Sequence, residues 1–370
     1  MTNAKIYLFL YHLGFSVKNI LFVMPVLGRT GADRVIFTLL NNIDRARFKP
    51  FLLLYKNDPE INTLVKDLCS DVTVHYLNIQ GRARSSFPKI ISGISRFTKS
   101  NAIDTILISS GTSNAVLSPF LFLFGRKVKK IARESNLPSL FEKSRIANIL
   151  YKTTYNNYDA IIAQSDDMFN DLVNNLGIDK QKIVKINNPL DYRSIVKLSV
   201  DENLSNLYDK SKTNLLSIGR LTYQKGFDLL LKAVSMLDDD RFHLTIIGDG
   251  EDKDELIALR RQLNLETRVT FVSGVDNPYP YMRQADVFVS SSRWEGYPNV
   301  VIESLLCGTP VLANNYPGGI AEIINDHNGM ICDIENEFVS SLLKVVEIRN
   351  VDFDTAKIDS IFEKYNQILS

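Results

Sequence analysis

Two cations lie close together in a short segment of the second half of the chain. Residues 217–226 read Ser-Ile-Gly-Arg-Leu-Thr-Tyr-Gln-Lys-Gly and run from the end of a predicted strand into a predicted helix. Gly219 permits a tight exit from the strand, and Arg220 and Lys225 follow it. Arginine offers a bidentate fork to phosphate oxygens, and lysine offers a compact charge. The segment therefore has donors for an anionic ligand, although taken alone it is better explained as an exposed Arg and Lys around a turn.

A second turn, Gly248-Asp249-Gly250, follows another predicted strand of the same half. Glycines at such a turn let a ligand approach the backbone closely. By itself the turn is weak evidence, because Gly-Asp-Gly is common between a strand and a helix. It gains weight because the carboxyl ends of parallel strands meet at one edge of a sheet, where the two cations are also expected.

The most specific segment is residues 291–304, which read Ser-Ser-Arg-Trp-Glu-Gly-Tyr-Pro-Asn-Val-Val-Ile-Glu-Ser. Gly296 and Tyr297 form a loop, and Pro298 stands where a helix begins, a position at which its missing N–H does no harm. The N–H groups of Asn299 and Val300 are then predicted to be free and to point at an incoming anion.

Two glutamates in this segment, Glu295 and Glu303, are separated by seven residues. Glu303 lies about one turn into the predicted helix, where its carboxylate can accept hydrogen bonds from two vicinal hydroxyls, as an acidic residue does for a ribose. Glu295 precedes the helix, at the rim of the predicted site. The alternative is a pair of solvated carboxylates, which the Gly-Tyr-Pro loop and the apolar helix between them disfavour.

These segments can meet only if their strands end side by side. Short apolar runs alternate with amphipathic stretches, and the pattern restarts after a polar stretch, as is typical of βαβ units with parallel sheets. The chain is therefore predicted to be α/β, with two doubly wound Rossmann-like domains that face a cleft. The predicted strands are 19–24, 50–55, 72–77, 105–109, 130–133, 160–164 and 183–186, then 214–219, 243–248, 269–272, 287–290, 310–313 and 330–332. The predicted helices include 32–42, 146–155, 225–236, 252–263 and 300–306.

The predicted domain bounds follow from this pattern. The first domain is 1–190, the linker is 191–212 and the second domain is 213–354, with a C-terminal helix at about 355–370 that packs back on the first domain. Two domains also suit a chain of 370 residues, because single hydrophobic cores stop growing at roughly 250–300 residues.

The charge of the chain is unevenly distributed. Residues 1–190 hold 25 Lys and Arg against 14 Asp and Glu, a net of +11, and residues 191–370 hold 18 against 28, a net of −10. A basic half could face an anionic membrane or an anionic substrate. Nucleic acid ranks below both, because no nucleic-acid motif is found.

Cysteine and histidine usage excludes other classes. Three cysteines are too few for a disulfide framework, so a reducing cytoplasm is expected. Four histidines show no ligand spacing, so no metal is expected.

No apolar run has the roughly 20 residues that a membrane-spanning helix needs. Residues 1–17 do not look like a signal peptide and are predicted to pack on the surface as a strand or helix, with a membrane-touching segment as the alternative.

The order and spacing of these motifs resemble the GT4 glycosyltransferases of the GT-B fold. The resemblance is carried by Gly-Arg followed by Gln-Lys-Gly, by the Gly-Asp-Gly turn and by the two glutamates, and it runs from about Lys18 to the end of the chain. The first domain agrees through a glycine-containing loop around Gly31. The sequence after Thr309 is similar to bacterial members that build surface polysaccharides such as O-antigen, capsule or lipopolysaccharide.

The resemblance implies a retaining, metal-independent transferase of hexosyltransferase type. Its donor would be a nucleotide diphosphate sugar, with UDP expected, and its acceptor a hydroxyl of a growing, lipid-linked glycan; no cofactor is implied. Arg220 and Lys225 would neutralise the diphosphate, and Glu295 would help to hold the sugar; these three residues form the implied catalytic set. Glu303 would bind the ribose. The implied donor-binding residues are Gly31, Gly219, Gly248, Gly250, Gly296, Tyr297, Pro298, Asn299, Val300 and Glu303.

The acceptor side departs from the family pattern. Many relatives carry a histidine after an Arg-Glu dipeptide, where this chain has Ser135. Glu134, Ser135 or Asn136 is expected to substitute for it, and Arg29 and Asp33 complete the acceptor-side set. Two other functions stay open, a hydrolysing nucleotide-sugar epimerase of the same fold and a non-catalytic subunit that recruits a partner to a membrane.

Peripheral attachment to an anionic membrane is predicted through the first domain. Residues 119–125 read Pro-Phe-Leu-Phe-Leu-Phe-Gly. Apolar aromatic residues beside a cation cluster suit the headgroup boundary of a bilayer. The alternative is that the run is buried and the cations are solvated. The cation cluster comprises Arg126, Lys127, Lys129, Lys130 and Arg133.

Overall fold

The chain folds into two compact units. The computed structural model describes residues 17–81, 86–200, 207–351 and 353–370. One unit ends at Leu190 and also includes Ala356–Ser370, and the other spans Asp191–Thr355. The expectations for residues 1–16 and for 201–206 of the polar stretch lie outside the described residues.

The first unit is built on a seven-stranded sheet in which every neighbouring pair is parallel, in the order β3-β2-β1-β4-β5-β6-β7. An interior strand, Lys18–Met24, has five consecutive buried residues, as expected of a parallel strand covered on both faces. The strands are β1 (Lys18–Met24), β2 (Phe48–Leu54), β3 (Thr73–Tyr76), β4 (Thr105–Ile108), β5 (Lys129–Arg133), β6 (Ala160–Ala163) and β7 (Ile183–Lys185).

Helices of the first unit connect these strands, and one comes from the far end of the chain. In chain order they are α1 (Gly31–Asn42), α2 (Phe87–Ser100), α3 (Gly111–Leu117), α4 (Pro138–Phe141), α5 (Arg145–Thr154) and α6 (Asp166–Asn170). The C-terminal helix, α13 (Ala356–Leu369), adds Ile361, Tyr365 and Leu369 to the core of this unit.

The second unit has a six-stranded parallel sheet in the order β10-β9-β8-β11-β12-β13. Its strands are β8 (Thr213–Ile218), β9 (Phe242–Ile247), β10 (Val269–Val272), β11 (Val287–Ser290), β12 (Val311–Asn314) and β13 (Gly329–Cys332). Its helices are α7 (Tyr192–Leu198), α8 (Phe227–Ser235), α9 (Lys253–Gln262), α10 (Tyr279–Gln284), α11 (Asn299–Leu306) and α12 (Phe338–Val345).

In both sheets all strands are parallel but their order along the sheet reverses at one point, which confirms the predicted doubly wound α/β class. In the first sheet the order turns between β1 and β4, and in the second between β8 and β11. Right-handed crossovers then place the helices of the two halves on opposite faces of each sheet. In sheets of this kind ligands bind at the carboxyl ends of the strands beside the reversal.

The polar stretch that follows Leu190 packs on the second unit. The Asn277 amide donates to the carbonyl of Leu198 at 2.9 Å, and the Tyr208 hydroxyl donates to the carbonyl of Tyr281 at 3.1 Å. Among the described residues no helix has the length and apolar character required to cross a bilayer.

Candidate functional site

The chemistry-bearing segments of the second unit lie at the reversal of its sheet. Gly219 and Arg220 follow β8, and residues 291–298 follow β11, the adjacent strand. The segment after β9 lies on the other side of β8, and its backbone is bonded to the β8 loop because the Leu221 N–H donates to the carbonyl of Asp249 at 3.0 Å. The sheet therefore brings the three predicted segments to one edge.

The centre of this edge is an ion pair between Lys225 and Glu295. The distance from Lys225 Nζ to Glu295 Oε1 is 2.6 Å, and Glu295 is only 7% exposed. The same oxygen accepts a hydrogen bond of 2.6 Å from Ser292 Oγ, and Gln224 Nε2 lies 3.5 Å from the other carboxylate oxygen. The two residues are therefore held in one geometry by partners on both loops.

A second ion pair, Arg293–Asp228, fixes the two loops to each other. Arg293 makes two bonds to the Asp228 carboxylate, of 2.8 and 2.7 Å, and donates to the carbonyl of Tyr223 at 2.7 Å. Its guanidinium carbon also lies 3.9 Å from the centre of the Tyr223 ring. Burial would raise the pKa of Asp228, but the hydrogen bonds and charge of Arg293 outweigh it, so this pKa is lowered.

Arg293, Asp228 and Gln224 were not among the predicted site residues. Gln224 lies in the segment 217–226 and Arg293 in the segment 291–304, so the sequence already placed both of them close to predicted site residues. Asp228 carries no signal of its own, since an acidic residue in the first turn of a helix is ordinary.

Arg220 differs from Lys225 in its surroundings. Its side chain is exposed and makes no hydrogen bond or ion pair with the described residues. The aliphatic stem of Lys225 lies 3.4 Å from the position that a Cβ on Gly219 would take, so the lysine folds back against the strand exit. Of the two predicted cations, Lys225 is thus paired and partly covered, and Arg220 is exposed to solvent.

Gly248 and Gly250 have a packing role. A Cβ on Gly248 would lie 1.9 Å from the carbonyl oxygen of Gly219, and one on Gly250 would lie 2.1 Å from that of Leu221. Protein backbone fills the space that each glycine leaves open. Contact between two loops therefore accounts for these glycines, where close approach of a ligand had been predicted.

The start of α11 partly contradicts the predicted anion site. The Asn299 N–H is not free, because it donates to the carbonyl of Tyr297 at 2.9 Å. Val300 lines the same small pocket as Lys225 and Ser292. Pro298 precedes the helix without a side-chain cap, and Gly296 is buried in the loop before it.

Glu303 is the fifth residue of α11 and is buried, at 7% exposure. Burial of the Cys307 thiol raises its pKa to about 12, and the nearby negative charge of Glu303 contributes to this shift as the second cause. Burial likewise raises the pKa of Tyr297. A buried carboxylate on this helix is compatible with the predicted contact to hydroxyls, and the contact itself stays a prediction.

On the first unit, the loop after β1 is organised around the start of α1. Gly31 is its first residue, and Thr30 and Asp33 form a capping box in which Thr30 Oγ1 donates to Asp33 Oδ2 at 2.7 Å and accepts from the Asp33 N–H at 3.2 Å. Asp33 therefore has a structural role at the helix start. Arg29 is exposed in the loop before it.

The carboxylate of Glu134 is closed to an acceptor. It is 1% exposed and accepts hydrogen bonds from Asn114, Tyr155 and Tyr151, at 2.8 Å for Asn114 and 3.2 Å for Tyr151. Burial raises its pKa, and the hydrogen bonds oppose this without outweighing it. The prediction that Glu134 could contact an acceptor is therefore wrong for its side chain. Ser135 and Asn136 remain partly accessible after β5.

Arg133, the neighbour of Glu134, is fully buried. Its guanidinium donates to Tyr365 Oη at 3.1 Å, to Ser109 Oγ at 3.1 Å and to Asn188 Oδ1 at 2.5 Å. It thus connects the ends of β4 and β5 to the segment after β7 and to α13. Among the described residues no group of three His, Cys, Asp or Glu side chains could hold a metal ion.

Comparison with solved structures identifies the fold. The crystal structure of Anabaena HepE in complex with UDP and glucose matches with a TM-score of 0.73 at 18% identity, covering 95% of this chain and 99% of that chain. The lipopolysaccharide outer core galactosyltransferase WaaB matches with a TM-score of 0.69 at 20% identity, covering 95% and 99%. The protein has the GT-B fold of glycosyltransferases.

Sequence comparison then shows which family the second half of the chain resembles. Residues 202–356 match the family of group 1 glycosyl transferases. An N-acetylgalactosamine-N,N'-diacetylbacillosaminyl-diphospho-undecaprenol 4-alpha-N-acetylgalactosaminyltransferase from Campylobacter jejuni is 29% identical over 323 residues, which are 84% of this chain and 85% of the relative. Over residues 202–356 the chain is therefore similar to the group 1 (GT4) glycosyltransferases, and over most of its length it is similar to the Campylobacter transferase.

Proposed function

We propose that this glycosyltransferase moves a hexose-type sugar, with retention, from a UDP-sugar to a hydroxyl of a growing, lipid-linked bacterial surface glycan. The HepE structure that it resembles contains UDP and glucose, and the name of the Campylobacter relative specifies an acceptor on diphospho-undecaprenol. The enzyme would act in the cytoplasm, at the membrane surface that holds such an acceptor.

The observation that carries the proposal is the arrangement of Arg220, Lys225 and Glu295 at the reversal of the second sheet. Two cations stand at the edge where sheets of this kind bind ligands, and one is open to solvent. A diphosphate leaving group carries the charge that such cations stabilise. Charge stabilisation of this kind is commonly the largest single contribution to catalysis.

The Lys225–Glu295 pair supports a specific role for the lysine. Because Glu295, Ser292 and Gln224 hold the ammonium and carboxylate groups, Lys225 is oriented before any donor arrives. A preoriented charge needs little reorganisation when the diphosphate departs. Glu295 would then contact the sugar, while the loop from Gly296 to Val300 would enclose the sugar and phosphates.

We propose the following roles for the remaining residues. Glu303 would accept hydrogen bonds from the ribose, and Gly31 would lie near donor phosphate. Arg29, Ser135 and Asn136 would face the acceptor, while Asp33 and Glu134 would act by shaping the loops that carry them. Arg220 and Lys225 would supply the positive charge that a metal ion supplies in other transferases.

Nucleotide binding and product identity test this proposal together. UDP and UDP-sugars should raise the thermal midpoint of the full chain above that with adenosine or guanosine diphosphate, since ligand binding to the folded state stabilises it. Incubation with UDP-sugars and a lipid-linked acceptor should give a glycoside. A free epimerised sugar, or no stabilisation by any nucleotide diphosphate, would overturn the assignment.

When Arg220 or Lys225 is replaced by Ala in these assays, Arg241→Ala is a suitable control. Arg241 is a cation that pairs with Asp239 at 2.7 Å, but it precedes β9 and so lies at the amino end of the same sheet. The control should keep both nucleotide stabilisation and transfer.

A further inference from the structure

Large exposed apolar side chains are concentrated in one stretch of the first unit, residues 122–149. Phe122 is 69% exposed, Ile146 is 55% exposed and Ile149 is 60% exposed. They lie on three elements: the 3-10 helix Ser118–Phe124, α4 and α5. We call this set the apolar face, and its members are Phe122, Leu123, Leu140, Phe141, Ile146 and Ile149.

Helix α5 shows why these residues are not part of the core. Its buried side carries Ala147 and Tyr151. Ile146 and Ile149 lie on its solvent side, three residues apart, so they are neighbours on the helix surface. An amphipathic helix normally places polar residues there. Two isoleucines in that position indicate a surface that meets something other than water.

The elements of the apolar face are joined by hydrogen bonds. Asn148 donates to the carbonyl of Glu142 at 3.1 Å, which ties the loop after α4 to α5. Ser118 and Thr154 hydroxyls lie 2.6 Å apart, which ties the 3-10 helix to the end of α5. These bonds hold the three elements that carry the apolar side chains against one another.

Exposed cations stand beside the apolar face along the chain. Residues 118–154 contain eight Lys and Arg but only Glu134 and Glu142 as acids. Glu134 is buried, and Glu142 accepts hydrogen bonds from Thr112 Oγ1 at 2.6 Å and from the Ser144 N–H at 2.7 Å. The exposed cations are Arg126, Lys127, Arg145, Lys143 and Lys152.

Part of the predicted cation cluster does not belong to this surface. Lys130 and Arg133 are buried and cannot reach a lipid headgroup. Within the predicted apolar run, Leu121 and Phe124 are buried while Phe122 and Leu123 are exposed. Both alternatives stated for that run are thus partly correct, and the exposed residues of α4 and α5 were not predicted.

We propose that the apolar face and its cations dock on the surface of an anionic lipid bilayer. Apolar side chains would enter the headgroup boundary while the cations contact lipid phosphates. A second copy of the chain fits less well, because a symmetric contact would bring like charges together. Docking would bring the enzyme to the leaflet that holds the lipid-linked acceptor named under the proposed function, but it does not depend on the donor.

Vesicle flotation tests the proposal without any sugar transfer. The full chain should bind vesicles of phosphatidylcholine with 30 mol% phosphatidylglycerol at low salt, and binding should fall at high salt or with pure phosphatidylcholine. Replacing Lys143, Arg145 and Lys152 by Ser should reduce partition on the order of 100-fold. Ile146→Ser with Ile149→Ser should reduce it by roughly tenfold.

Met236→Ser with Leu343→Ser is the matched control. These side chains are 51% and 50% exposed on the second unit, so the control removes similar apolar area elsewhere and should keep full binding. Equal binding to neutral and anionic vesicles, no binding, or the same binding by all variants would overturn the proposal. So would a dimer of the unmodified chain in solution that the Ile146 and Ile149 changes dissociate.

Discussion

The carboxyl edges of the two sheets differ in how accessible their charged residues are, although the six strands of the second sheet have the same order as β3 to β6 of the first. At the edge of the first sheet, Arg133 and Glu134 are buried and surrounded by hydroxyl and amide partners. At the edge of the second, Arg220 is open and the side chain of Lys225 is 22% exposed. Topology therefore fixes where a ligand can bind, and of these four charged residues only Arg220 and Lys225 of the second edge are accessible to an anion.

The largest expected effect comes from the cations of the second edge. Arg220→Ala and Lys225→Ala should each reduce transfer about 10²–10³-fold, because developing diphosphate charge loses a partner. Initial rates with a saturating donor measure this, with Arg241→Ala as the control. Near-normal rates in both variants would show that this edge does not hold the leaving group.

Glu303→Ala should act on binding. If its carboxylate accepts ribose hydroxyls, affinity for the product nucleotide should fall on the order of 10- to 100-fold. Isothermal titration with the nucleotide diphosphate measures it. Unchanged affinity would remove Glu303 from the ribose site and would leave the cations unaffected.

The Arg293–Asp228 pair should have a smaller effect, because neither residue is expected to touch the donor. Asp228→Asn should lower the transfer rate about fivefold by loosening the loops that hold Lys225 against Glu295, since a partly exposed ion pair contributes roughly 1 kcal/mol. Asp239→Asn breaks a similar pair at the other end of the sheet. A positioning role requires that the rate falls only for Asp228→Asn while both variants show similar thermal midpoints.

Glu134→Gln tests the first edge through pH. Its folded-state pKa is raised above the ordinary 4.5. The native state thus holds the proton more tightly, and stability from this group is lost as pH rises above about 4.5 through the folded pKa. As pH rises over that range, the thermal midpoint of Glu134→Gln should therefore increase relative to that of the unmodified protein. Parallel curves of midpoint against pH would contradict the assignment.

The smallest expected effect is that of chelation. With Arg220 and Lys225 at the leaving group, transfer should be unchanged in EDTA. Loss of transfer that Mg²⁺ or Mn²⁺ restores would show that the cations of the second edge are not sufficient.

The arrangement of strands could be predicted from the sequence because parallel strands are short, apolar and separated by helices. Each predicted strand exists, and Val269–Val272 and Val287–Ser290 have the predicted bounds. Other ends differ by one or two residues, as with Lys18–Met24, because apolar patterning does not fix where hydrogen-bonded pairing stops.

Partnerships between distant residues could not be predicted in the same way. Nothing in the sequence pairs Lys225 with Glu295, or shows that Glu134 is enclosed by tyrosines from α5 and the residues after it. Gly248 and Gly250 illustrate the same limit. A glycine required by backbone contact and one required by a ligand look identical in a sequence.

The attachment of α13 to the first unit sets an order in which the chain can fold. Tyr365 is the partner of Arg133, and the Thr105 hydroxyl donates to the carbonyl of Leu369 at 3.1 Å. The whole of Asp191–Thr355 lies between these partners in the chain. During synthesis the second unit can therefore complete its core while the first still lacks its last helix. Contacts of such sequence separation are slow to form, so closure of the first unit is expected to be the late step.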